Sequence, residues 1–475
     1  MMTRIEHDLL GTLEVPADAY YGIHTLRAHQ NFSLSGLMLH YELVHALADI
    51  KKACALANLK TGHLDESITN AITAACDEIS SGKLHDQFIT DAFQGGAGTS
   101  ANMNANEVIA NRAIELLGGK KGAYDKVHPL DHVNLSQSTN DVFPTAVKLA
   151  AIRLLVPASQ AIADLQNALQ EKENEFAHVL KIGRTEMQDA VPITLGQEFS
   201  AWAQAVQRDW WRLYKVEERL RQVNLGGTAV GTGLNADRKY VYIVVDILRE
   251  NTGVPLARAE NMIDVTQNCD VFVEVSGLIK AAAVNLAKIA SDLRILSSGP
   301  RAGIGEIRLP ALQAGSSIMP GKVNPVVTEA VSQAAFQIMA NDQAITLAAA
   351  SGQLELNAFL PMLSHNLFQS LELLKNAAML LAEKCVKGIE ADEDRCRELV
   401  EHSFAMLTAL SPYIGYEAAS DLAREATETG KTIRQAALDK DLFTKEQLDI
   451  ILSTVEMTKP GIAGLKAMGD KAPSP

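Results

Sequence analysis

The sequence predicts a mainly α-helical protein organised around a bundle of long helices. Three observations carry that expectation. Hydrophobic side chains make up 47% of the 475 residues and aromatic ones only 5%, while Ala and Leu are abundant. That mix suits helices packed through small and γ-branched side chains better than an aromatic-rich β-sandwich. Stretches near 145–176, 195–224, 237–251, 268–297 and 323–350 carry apolar residues at steps of three and four, the spacing of one helix face. Within them Val275, Leu278, Ala282, Leu286, Ile289, Leu293 and Leu296 keep a near-heptad rhythm for about three heptads. Helices well beyond the usual ~11–12 residues must pack along their length.

Taken in chain order, residues 1–140 read as an N-terminal mixed, mostly helical domain. Its opening holds Gly11, Pro16, Tyr20, Tyr21 and Gly22, which favour an extended arm or short strands. Helical patterns follow at about 42–60 and 66–81. Gln94-Gly-Gly-Ala-Gly-Thr-Ser100 interrupts them, and a helix resumes near Asn104 to stop at Gly118-Gly119. Residues 141–395 form the central long-helix domain. Several of its helices are apolar on more than one face, which points to burial between subunits. Residues 396–475 return to shorter helices. The end, from Lys459, is rich in Gly, Pro, Ala and Lys and is expected to fray.

A net charge of −14 argues against nucleic acid or an anionic membrane as the main partner. An anionic metabolite stays compatible, because a local cluster of donors can oppose the global field. Cys54, Cys76, Cys269, Cys385 and Cys396 are odd in number and widely spaced, as expected of reduced thiols in a reducing compartment. The first eight residues are charged where a signal peptide has its apolar core. No uninterrupted apolar run approaches the roughly 20 residues that span a bilayer. A cytoplasmic protein is expected.

The sharpest chemical signal is Gly315-Ser-Ser-Ile-Met-Pro-Gly-Lys-Val-Asn-Pro325, followed by Glu329. Its glycines allow a loop that moves or closes. Ser316, Ser317, Lys322 and Asn324 supply two hydroxyls, an ammonium and a carboxamide. Those groups suit gripping a carboxylate and removing a nearby carbon-bound proton. A phosphate-binding loop is excluded: the gap between glycines is one residue too long, and Val323 stands where Ser or Thr should hold magnesium.

This stretch resembles the signature of the fumarase/aspartase superfamily. Gly96-Ala-Gly-Thr-Ser100 with Asn102-Met-Asn-Ala-Asn-Glu107 is similar to the first shared region. Gln137-Ser-Thr-Asn-Asp141 and Gly183-Arg-Thr-Glu-Met-Gln-Asp-Ala190 are similar to the second. Asn224-Leu-Gly-Gly-Thr-Ala-Val-Gly-Thr-Gly-Leu-Asn235 and Ser298-Gly-Pro-Arg-Ala-Gly303 also fit, so the match runs from about residue 5 to 457. The opening Asp8-Leu-Leu-Gly, the run Glu14-Val-Pro-Ala-Asp-Ala-Tyr-Tyr-Gly22 and Thr139 resemble the aspartate ammonia-lyase branch more than fumarases.

The resemblance implies a three-domain subunit, a twenty-helix core in a homotetramer, and active sites shared by three subunits. It implies a lyase that converts L-aspartate to fumarate and ammonia. Ser316 is then the catalytic base. Lys322 and Asn324 hold the α-carboxylate with Thr185. Thr99, Ser138, Thr139 and Ser317 hold the β-carboxylate, and Asn140 helps seat the amino group.

Physical chemistry fits these roles. Removing the β-carbon proton of aspartate drives charge into the adjacent carboxylate, giving a dianionic aci-carboxylate. Donors must therefore be aimed at that carboxylate as charge grows. A serine hydroxyl is far from ionised at neutral pH, so it needs N–H donors, Lys322 and exclusion of water to act as a base. Thr99 and Ser138–Asn140 also suit plain helix N-capping, and the two roles are compatible.

One position departs from the family pattern. Glu186 stands where His or Gln is usual. An ionised Glu repels a dicarboxylate but attracts an ammonium, so it is assigned to the amino group; the alternative is a pairing with a structural Arg. His128 and His132 are expected to cap and turn the chain, Trp210-Trp211 to pack, and Glu390–Asp394 to start a solvated helix. No zinc, dinucleotide or pyridoxal signature is present, so no metal or organic cofactor is expected; activation by a divalent ion leaves no sequence mark. The competing readings are a fumarase, acting on malate, and a non-catalytic oligomer of the same fold.

Overall fold

The structure, a computed structural model, describes residues 2–468. It is mostly helical. Five helices are long: Thr139–Glu175, Leu195–Leu220, Asp270–Leu296, Val326–Ala350 and Leu360–Lys384. Four of them match the periodic stretches of the sequence. Of the near-heptad positions in Asp270–Leu296, all but the half-buried Leu278 are buried. The helix expected at 237–251 is the 15-residue Arg238–Thr252, ended by Gly253 at φ +68°. Leu360–Lys384 has no counterpart among those stretches, although its Leu363, Leu367, Leu371, Leu374 and Leu381 are buried in helical spacing.

The chain forms two compact units. One comprises 1–160, 210–284 and 334–375; the other comprises 161–209, 285–333 and 376–475. The boundaries fall inside all five long helices, so each helix gives one end to each unit.

In the first unit the opening segment is an antiparallel hairpin, Thr3–Asp8 with Gly11–Pro16. Helices Tyr41–Lys60, Glu66–Ser80 and Thr99–Leu116 follow. Buried Glu107 accepts the N–H groups of Gly22, His24 and Thr25 and the Thr25 hydroxyl, fixing the start of helix Ile23–Asn31. The first part of Thr139–Glu175 is long and apolar enough to span a bilayer, but 78% of that window is buried in the protein, as in a core helix.

In the second unit, Ile182, Leu410, Leu422, Ile433, Leu448 and Ile451 belong to one buried cluster. The acidic stretch opens helix Glu393–Glu401, with Asp392 as its cap, as expected. The expected fraying from Lys459 is not seen up to residue 468: Leu465–Met468 is helical, Met468 is buried, and the Tyr413 hydroxyl donates to the Ala463 carbonyl at 2.6 Å. The rest of that tail, 469–475, lies outside the described residues. All five cysteines are free and buried.

Candidate active site

The predicted residues fall on four segments. The first is the start of helix Thr99–Leu116, five residues earlier than the sequence pattern suggested. Gly98 stands before it at φ +98°, and a Cβ there would lie 2.4 Å from the Phe143 ring, so only glycine fits. Thr99 is exposed, and its hydroxyl donates to the Gly96 carbonyl at 2.7 Å. First-turn N–H groups are used locally: Thr99 on Gly96, Ala101 on the Gln94 side chain and Asn102 on Gly98. What remains on offer includes the rotatable Thr99 hydroxyl and the positive helix end.

The second segment opens helix Thr139–Glu175. The Ser138 hydroxyl oxygen accepts the Asn140 N–H at 3.2 Å, and the Ser138 N–H donates to Asp141 Oδ1 at 2.9 Å. This reciprocal cap leaves the Ser138 hydroxyl hydrogen free to turn outward. Asn140 Nδ2 donates to the Ala229 carbonyl at 2.8 Å, which leaves its amide oxygen as an acceptor suited to an ammonium. Asp141 Oδ2 accepts the N–H groups of Gly226 and Thr228 at 3.0 Å each. The motif Asn224–Asn235 is thereby the back-plate of the turn. Burial pushes the Asp141 carboxyl up to about 6.

The structure joins these two segments. Asn102 Nδ2 donates to Thr139 Oγ1 at 3.1 Å and to Asn134 Oδ1 at 3.2 Å. Asn134 Oδ1 also accepts from buried Lys51 at 2.9 Å, and Gln137 Oε1 accepts from the same ammonium at 2.8 Å. Sequence reasoning quoted Asn102 and Asp141 inside motifs without giving either a task. Lys51 it missed, because nothing near Lys51 in the chain distinguishes it from Lys52.

The third segment is the tip of the hairpin Leu180–Thr185 with Gln188–Thr194. Thr185 and Glu186 are exposed there. Glu186 and Met187 form the two-residue turn at φ +53° and +66°, a mirror-type turn that matches strand twist but costs L-residues on the order of 1–3 kcal/mol each. The strand Leu180–Thr185 is held by buried Glu306, which accepts from Arg184 at 2.9 Å and pairs with buried Lys181 at 3.2 Å. Among the described residues Glu186 has no ionic partner. The alternative of a structural Arg is therefore not met by Arg184, which Glu306 already occupies.

The fourth segment is the glycine-hinged loop. Gly315 N–H donates to the Lys322 carbonyl at 2.8 Å, and Asn324 Nδ2 donates to the Gly315 carbonyl at 3.0 Å. The loop is thus closed at its neck. Half-buried Ser316 accepts two backbone N–H groups at its Oγ, from Ile318 at 3.2 Å and Met319 at 3.0 Å. Ser317 and Lys322 are exposed. Thr185 lies on the hairpin and Asn324 in the loop, with no hydrogen bond between those segments among the described residues. His128 Nδ1 accepts the N–H groups of Leu130 and Asp131, and His132 Nδ1 accepts that of His128, the capping role expected of them. Trp210 and Trp211 pack with Tyr214, Trp211 remaining exposed.

Comparison with known proteins identifies the family. A family model described as lyase matches residues 11–340, and one described as fumarase C C-terminus matches 406–459. An aspartate ammonia-lyase of Bacillus subtilis (strain 168) is 52% identical over 461 residues, covering 97% of each chain. An aspartate ammonia-lyase of Escherichia coli (strain K12) is 47% identical over 460 residues, covering 96% of each. Among solved structures, a fumarate lyase:delta crystallin from Brucella melitensis bound to cobalt superposes with a TM-score of 0.93 at 51% identity, covering 97% of this chain and 100% of that one. A class II fumarase from Schistosoma mansoni gives 0.91 at 36% identity, with the same coverage. The chain belongs to the fumarase/aspartase superfamily of lyases and, within it, to the aspartate ammonia-lyases.

Proposed function

We propose that this chain removes ammonia from L-aspartate to give fumarate, with Ser316 as the base. The observation that carries the reading is the pair of N–H groups on the Ser316 oxygen, from Ile318 and Met319. Two donors on one hydroxyl oxygen favour its ionised form. Lys322, in the same loop, adds positive charge.

In the proposed step the Ser316 alkoxide takes the β-carbon proton. The C–H electron pair moves into the β-carboxylate, which becomes the dianionic aci-carboxylate. Thr99, Ser138, Thr139 and Ser317 donate to it as its charge grows. The electrons then return to form the carbon–carbon double bond, the carbon–nitrogen bond breaks, and ammonia leaves with its pair. Ser316 gives its proton to solvent. Lys322, Asn324 and Thr185 hold the α-carboxylate. Glu186 and the Asn140 amide oxygen seat the ammonium. An ammonium needs no separate acid to leave, whereas hydroxide from malate does.

The reaction so written uses no organic cofactor. We further infer three domains, at 1–140, 141–395 and 396–475, a cytoplasmic homotetramer, and active sites completed by three subunits. Exposed apolar side chains on the long helices, among them Val156, Val284, Phe336 and Met379, support burial between subunits. The test is the ultraviolet absorbance of fumarate, followed after adding L-aspartate beside an L-malate control. Fumarate from aspartate alone supports the reading. Fumarate from malate alone supports the fumarase reading instead, and none from either supports a structural oligomer.

A further inference from the structure

Two groups beneath the Gln137–Asn140 turn have no task in the reaction as written, yet the protein buries both. Lys51, on helix Tyr41–Lys60, is 0% exposed, and so is Asp141. Lys51 donates to Gln137 Oε1 and Asn134 Oδ1, and Asn134 Oδ1 in turn accepts from Asn102, which donates to Thr139. Asp141 holds the N–H of Ser138 from one side and those of Gly226 and Thr228 from the other.

We propose that Lys51 and Asp141 are positioning residues for the carboxylate-binding turn, and that Lys51 is kept as a buried charge for substrate binding and not for the fold. The proposal rests on the reading that Ser138 and Thr139 bind the β-carboxylate. Asp141 fixes the backbone of the turn. Lys51 fixes its side chains: with its ammonium on Gln137 and Asn134, the donor of Asn102 is directed onto the oxygen of Thr139. That leaves the Thr139 hydroxyl hydrogen pointing away, toward an acceptor outside the protein.

Stability and substrate binding make opposite demands on Lys51. A buried ammonium bonded only to amide oxygens carries a desolvation penalty that such bonds do not fully return. Burial pulls Lys51 down to about 8. The titratable groups acting on it are Cys54, Cys76 and Asp141, and Tyr240 faces Cys54 and Asp141. Asp141 is the one carboxylate among them, and the structure gives it no direct hydrogen bond with Lys51. A residue retained for stability alone would be apolar here. A residue retained to fix and polarise an anion-binding turn would be Lys.

The experiment compares the full-length enzyme with Lys51→Met. It measures thermal midpoint at neutral pH, steady-state kinetics on L-aspartate, and binding of succinate, an unreactive dicarboxylate, by calorimetry. Lys51→Met is expected to melt within about 2 °C of the unaltered enzyme or above it. It is expected to raise KM and weaken succinate binding at least about tenfold, with a smaller change in kcat. Unchanged KM and succinate affinity overturn the proposal. So does a variant that melts several degrees lower or does not fold, because the charge then serves the fold. A second variant, Asp141→Asn, keeps one acceptor but puts an amide N–H₂ against the N–H groups of the turn. It is expected to weaken succinate binding as well, and unchanged binding overturns the Asp141 half. If the unaltered enzyme makes no fumarate from aspartate yet binds succinate, the functional reading fails while the positioning claim is still decided by succinate.

Discussion

Asn102 donates its amide hydrogen to the Thr139 hydroxyl oxygen at 3.1 Å, joining two motifs that lie 37 residues apart in the chain. The bond decides what Thr139 can do. With its oxygen already accepting, the threonine is set to donate. Replacing Asn102 by Ala frees the hydroxyl to rotate and removes one of the donors on Asn134. The expected result is a five- to fifty-fold rise in KM for aspartate, corresponding to about 1–2 kcal/mol, with kcat reduced less. Steady-state kinetics checks it; an unaltered KM means that Thr139 does not contact substrate.

The neck of the glycine-hinged loop leaves no room for a side chain. A Cβ on Gly315 would sit 2.7 Å from the Lys322 carbonyl and 2.9 Å from the Asn324 N–H nitrogen. Gly321 has open space around it but lies at φ +84°. Gly315→Ala is therefore expected to pry the neck apart and lower kcat/KM at least about tenfold. Gly321→Ala should cost only the backbone strain of about 1 kcal/mol and have the milder effect. Both should leave the thermal midpoint nearly unchanged, since most of this loop is exposed. Equal kinetic effects of the two variants would contradict the closed-neck geometry.

Glu186 sits at the tip of a strained turn without an ionic partner among the described residues. If it holds the ammonium, Glu186→Gln should raise KM for aspartate and for ammonium in the reverse direction, while KM for fumarate stays within about twofold. A fumarate KM that shifts as much as the ammonium KM argues for a carboxylate-facing role. Improved aspartate binding in the variant would rule out the ammonium assignment.

Asp141 makes stability depend on pH in a direction opposite to most surface-paired carboxylates. Burial raises its carboxyl from 3.8 to about 6. The folded state thus holds this proton more tightly than the unfolded chain. Its contribution to stability is fully present below 3.8 and is lost as pH rises through 6, by about 3 kcal/mol in all. Asp141→Asn has no such titration. The stability of the unaltered protein minus that of the variant should fall by about that amount between pH 4 and pH 7. Denaturant unfolding at the two pH values measures it, and a constant difference contradicts the burial argument.

The helical architecture was legible because long apolar faces repeat at helical spacing, as in Val275 to Leu296. The Leu360–Lys384 helix carried an equally regular pattern and could have been read from it. The start of helix Thr99–Leu116 was not legible. Asn102, Asn104 and Asn106 look solvent-seeking in sequence, yet all three are buried, with their amide N–H groups placed on Asn134 and Gln87 and the Asn104 oxygen on the Ile89 N–H. The candidate site can be proposed from sequence where one loop contains its own chemistry, as in Ser316 to Asn324. It was hidden where a residue matters through a distant partner. Lys51 meets Gln137 across 86 positions, and no local pattern announces that meeting.

The claim on which the mechanism turns is that Ser316 takes the proton from carbon. Ser316→Ala keeps the neck bonds of the loop, which run through Gly315, Lys322 and Asn324, and removes only the oxygen held by Ile318 and Met319. The direct measurement is kcat for aspartate in this variant together with its affinity for succinate. A fall in kcat of at least about a thousandfold with succinate affinity kept within a few-fold is the predicted result. A kcat within tenfold of the unaltered enzyme would move the base to another residue and contradict the account.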